Sequence, residues 1–65
     1  MERHSFKLEL PASTSWGEVK AIALEQVVYP HMHRAGKNSY ADLIVNGDTR
    51  PTAQGMSTFT GEYLI

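Results

Sequence analysis

The chain contains no cysteine. Disulfides, thiolate metal sites and a cysteine nucleophile are therefore excluded. It also lacks any apolar run near the roughly 20 residues that span a bilayer, so no membrane partner is expected. Neither charge sign dominates. Six Lys/Arg face seven Asp/Glu for a formal net charge of −1, and no overall basic field recommends nucleic acid as the partner. The opening residues Met1-Glu2-Arg3-His4 lead into alternating polar and apolar positions, not into the apolar core of a signal peptide. A cytoplasmic location is the expectation.

What remains is ordinary globular composition, with 42% hydrophobic and 20% charged residues in 65 positions. One small domain fits that length. In so short a chain, without disulfides or an evident metal site, the entropy of ordering and the gain from burial nearly cancel. A homo-oligomer or a partner surface that completes the core is expected on that ground.

Ser5 to Leu10 alternates Phe6, Leu8 and Leu10 with Ser5, Lys7 and Glu9, the period of a half-buried strand. Pro11 is expected to end it. Ser15 followed by Glu18 is a capping box ahead of a helical run. Trp16, Val19, Ile22, Ala23 and Val27 share its core stripe, with Trp16 expected to cover one end of the core. The helix is predicted over 16–28, because Pro30 disfavours helical geometry at Tyr29. A short helical turn closed by Gly36 fits after Pro30. Tyr40 to Val45 is the best strand in the chain. Asn46-Gly47 behind it predicts a tight hairpin with Gly47 at positive φ, returning through 48–52. Gln54-Gly55 marks a further turn, and the tail Ser57 to Ile65 reads as a last strand interrupted by Gly61. The fold class is α+β, in the order strand, helix, strand, hairpin return, strand.

The segments Leu8 to Ile22 (LELPASTSWGEVKAI), Leu43 to Gly47 (LIVNG) and Gly61 to Ile65 (GEYLI) together resemble the ubiquitin-like β-grasp family. The last two are most similar to its sulfur-carrier and bacterial ubiquitin-like branch. The resemblance covers residues 8 to 65 and rests mainly on the order of its motifs. It implies one helix across a small mixed sheet. Two departures stand out. Only one strand fits before the helix where the family has a hairpin, and the sequence closes on Tyr63-Leu64-Ile65 without the family's activated Gly-Gly tail. Sulfur transfer or conjugation is disfavoured unless the native chain continues past Ile65.

No Gly-x-Ser-x-Gly elbow, phosphate loop or paired-carboxylate motif occurs, so no catalytic residue, cofactor or metal is assigned and the chain is expected not to be an enzyme. His31 and His33 would face one side of an extended segment and could share a metal, with His4 as a third ligand. A solvated loop is the stronger reading. Leu24 and Val28 lie one turn apart on a flank beside the core stripe. His31, His33, Arg34 and Lys37 form a basic stretch with no acid between Gln26 and Ala41. Together these six residues are the expected protein interface, and an acidic protein surface is the favoured partner. The expected function is a protein-binding adaptor or inhibitor of the kind phages and mobile elements encode. The alternative is a nucleic-acid or anionic-ligand binder using segment 31–37, with Tyr29, Arg34 and Tyr40 as a stacking platform.

Overall fold

The computed structural model describes all residues from Met1 to Ile65. Strand β1 (Arg3–Pro11) is followed by helix α1 (Trp16–Ala23), a π-helical turn (Leu24–Val28) and helix α2 (Tyr29–Ala35). Strands β2 (Ala41–Asp48) and β3 (Met56–Leu64) complete the chain. The sheet order is β1-β3-β2, with both outer strands antiparallel to β3. β1 and β2 therefore run parallel to each other with β3 inserted between them, a split βαβ arrangement. The fold is α+β, and the sheet is antiparallel throughout where a mixed sheet was expected.

β3 is central because its alternation is the most complete. Ser57, Phe59, Gly61, Tyr63 and Ile65 are buried under the helix, while Met56, Thr58, Thr60, Glu62 and Leu64 face the open side. Gly61 does not interrupt this strand. Its missing side chain makes room for the Phe6 ring, which lies in register across from it, and for the Ile44 carbonyl. The core is built from Phe6, Val19, Ala23, Val28, Leu43, Phe59, Tyr63 and Ile65.

The helix starts as its sequence predicts. The Glu18 backbone N–H donates to Ser15 Oγ at 3.2 Å, and Ser15 Oγ in turn donates to the Glu18 carboxylate at 3.3 Å. It does not stop at Val28. The buried positions Val19 and Ala23 are four apart, Ala23 and Val28 are five apart, and Met32 packs on the core four residues later. The five-residue step is the π-helical turn, in which the Tyr29 N–H donates to the Leu24 carbonyl. That wide turn directly precedes Pro30, whose ring would clash with a carbonyl of a regular preceding turn. Pro30 thus stands in the first turn of α2, where its missing N–H costs little. Gly36 ends α2 at φ 67°, with the Lys37 N–H donating to the Met32 carbonyl and the Gly36 N–H to the His33 carbonyl, a Schellman closure.

The expected hairpin at Asn46-Gly47 is absent. β2 continues through both residues as a bulge, and positive φ falls on Gly36, Gly55 and Asp42 instead. The strand predicted over 48–52 does not form. Asp48, Thr49, Arg50 and Thr52 offer no apolar side chain to set against Leu43, and Pro51 has no N–H for a ladder. The connection is instead a loop closed by Thr52 N–H to the Met56 carbonyl at 2.7 Å and Gly55 N–H to the Thr52 carbonyl at 2.9 Å. The turn expected at Gln54-Gly55 is there, with Gly55 at φ 77°. No helix of the chain is long and apolar enough to cross a membrane.

Candidate functional site

Four large apolar side chains stand exposed along the β2 side of the molecule. Trp16 is 48% exposed and Ile44 45%. They flank a shallow groove of about 310 Å³ lined also by Gly17, Lys20, Leu43 and Val45. Tyr29 and Tyr40 form a second exposed pair, their rings 6.3 Å apart and nearly perpendicular, with Tyr40 immediately before β2. Trp16 is held open by its place. It occupies the first position of α1, one turn before the buried Val19, and leans on the sheet edge rather than on the core. The expectation that it caps the core is corrected accordingly. Ile44 faces out because strand alternation buries Leu43 between helix and sheet and turns the next residue to the open face. That outward position follows from the alternation of the Leu43-Ile44-Val45 run, whose sequence marks a strand without marking its faces.

The expected interface residues separate. Val28 is 0% exposed and belongs to the core, and Leu24 is half-buried and packed against it. The π-helical turn carries Val28 inward relative to a regular helix, and Leu24, which opens that turn, already packs on the core, so they do not form an uncovered flank. His33, Arg34 and Lys37 are exposed. The first two lie in the last turn of α2, where positive charge complements the helix C-terminus. His31 and His33 stand on a helix, so they project in different directions and share no ligand position.

His31 instead joins His4 and Tyr63. Its Nδ1 is 2.7 Å from the Tyr63 hydroxyl, its ring meets the His4 ring edge-on at a centroid distance of 4.4 Å, and His4 stacks on Tyr63 at 5.4 Å. Partial burial, then the neighbouring His4 and Arg34, hold the His31 pKa below its usual value, against an opposing pull from Glu2. Burial pushes the Tyr63 hydroxyl up. A cleft of about 320 Å³ opens beside this trio, lined by Glu2, His4, His31 and Lys37 among others. No group of three or more His, Asp or Glu converges closely enough to hold a metal. The hydroxyls of Ser13, Thr14 and Ser15 and of Ser57, Thr58 and Thr60 have no bond to a histidine.

Comparison with protein-family models, with curated proteins and with solved structures found no match for this chain.

Proposed function

We propose that this chain is a non-enzymatic protein-binding module, an adaptor or inhibitor, that docks its partner along the β2 side. The observation that carries the reading is the groove between Trp16 and Ile44, two large apolar side chains left half open where the fold had core to fill. Tryptophan is enriched among the residues that dominate binding energy. Lys20 is the only charged side chain lining the groove. An apolar anchor followed by an acidic residue therefore matches its chemistry, in line with an acidic protein partner. A β-grasp relationship rests on the sequence motifs alone, and the antiparallel pairing of β1 with β3 does not add to it.

Binding of nucleic acid or another anion is the second reading. It is favoured by the exposed Tyr29–Tyr40 pair and by exposed Arg34 and Lys37 nearby in sequence. Salt separates the two, because phosphate binding falls steeply with ionic strength while an apolar groove responds little. Trp16 is the only tryptophan, so its fluorescence reports directly on the groove. Partners captured from the source cell at moderate salt are expected to shift its emission to the blue and to be lost with Ile44→Asp and with Lys20→Glu. Capture that survives both substitutions but vanishes with salt, or with Arg34→Gln and Lys37→Gln together, assigns function to the basic segment instead.

A further inference from the structure

The two edges of the sheet are not alike. β2 carries two register shifts against β3 and a left-handed Asp42 at φ 50°. Such bulges are the usual means of blocking edge-to-edge pairing. β1 has none. It pairs with β3 without a shift from Arg3 opposite Leu64 to Pro11 opposite Met56. Glu2 and Ile65 exchange backbone hydrogen bonds at 2.8 and 3.1 Å, and the Ala12 N–H donates to the Gly55 carbonyl at 2.8 Å. The even-numbered residues of β1 therefore bond to β3, and the backbone groups of Arg3, Ser5, Lys7 and Glu9 point outward without a partner strand.

We infer that this edge pairs with the β1 edge of a second copy of the chain, about a two-fold axis at Leu8, giving one continuous antiparallel six-stranded sheet. Charge selects the occupant and the register. An axis at Lys7 would set Lys7 against itself. The axis at Leu8 sets Lys7 of each copy opposite Glu9 of the other, on the open face of the sheet. On the helix side it brings Leu8 against its own copy and Phe6 against Leu10, covering the half-exposed Leu8 and Leu10. An axis at Phe6 would instead place Arg3 opposite Glu9, but Arg3 is already paired with Glu62 at 2.8 Å. Self-pairing of β2 is opposed by its charges as well as its bulges, since Asp42 and Asp48 are its only charged residues. The inference is independent of the groove beside Trp16, which lies at the other edge.

Sedimentation of the full chain across a concentration series tests it. A dimer is expected, weakened on the order of tenfold by Lys7→Glu or by Glu9→Lys, because each substitution replaces two attractive cross-strand pairs with repulsive ones. The double exchange Lys7→Glu with Glu9→Lys is expected to restore the dimer, which a general loss of folding would not do. Leu8→Cys in this cysteine-free chain is expected to form an intermolecular disulfide under mild oxidation. Directly opposed residues that do not share hydrogen bonds bring their Cα atoms to about 4.5 Å. A wild type that stays monomeric at high concentration, or a dimer indifferent to both single substitutions, overturns the inference.

Discussion

Gly61 and Phe6 show how one residue decides the sheet. A Cβ at position 61 would strike both the Phe6 ring and the Ile44 carbonyl, on opposite neighbouring strands. Neither can yield easily, because Phe6 is a buried core side chain and Ile44 contributes backbone. Gly61→Ala is expected to lower the unfolding free energy by about 2–3 kcal/mol through overpacking. Gly47→Ala, which meets only the Thr60 hydroxyl at 3.0 Å, should cost less. Urea unfolding of the two variants checks the order, and equal losses would refute the packing argument. The second residue-scale consequence concerns His31. Its neighbours are His4 from β1, Tyr63 from β3, Arg34 from α2, and Glu2. The folded state holds its pKa below the unfolded value of about 6.5, so folding is favoured while the imidazole is neutral. That stability is present above the unfolded pKa and is lost as pH falls from about 6.5 through the lowered folded value. Urea midpoints between pH 8 and pH 5.5 are expected to decline in the wild type and to flatten with His31→Gln. Parallel declines in both proteins would contradict it. Replacing His31 is not neutral for the fold, since it also removes the bond to Tyr63.

At the scale of elements, what was local in the sequence was legible. The β1 alternation, the Ser15–Glu18 cap, the glycine closure at Gly36 and the turn at Gly55 all follow from chemistry within a few residues. The misreadings share a cause. Pro30 and Asn46-Gly47 carry strong local signals, and tertiary burial overrode both. At Pro30 the π-helical turn lets the helix continue and brings Val28 and Met32 onto the core, which no fixed helical period would predict. At Asn46-Gly47 the hairpin lost because its return strand had nothing apolar to bury, whereas Phe59, Tyr63 and Ile65 lay further on. The candidate site suffered likewise. Leu24 and Val28 looked uncovered only on an unbroken helical wheel. The His4–His31–Tyr63 cluster joins residues up to 59 positions apart; the sheet register sets His4 beside Tyr63, and the packing of α2 on the sheet brings His31 to them.

For the molecule as a whole, shape and burial set the stability problem. The chain measures 39 × 17 × 15 Å with a radius of gyration of 12.3 Å, against about 10.7 Å for a compact domain of this length. Only 10 of its 65 residues are buried, and one face of the sheet has no covering layer. A molecule this thin gains from lengthening its sheet, because each added strand pairs free backbone groups and covers half-exposed Leu8 and Leu10. If the β1 edges pair, folding and association are linked, and only the folded state contributes to the dimer. The melting temperature should then rise with protein concentration, and Glu9→Lys should lower it at any given concentration, so that about tenfold more protein is needed to reach the same value. Glu9 is exposed and makes no ion pair within its own chain, so the substitution alone should shift monomer stability by no more than about 0.5 kcal/mol. Calorimetry of wild type and Glu9→Lys over a wide concentration range separates the two effects. A melting temperature independent of concentration in the wild type would mean that this small core stands by itself.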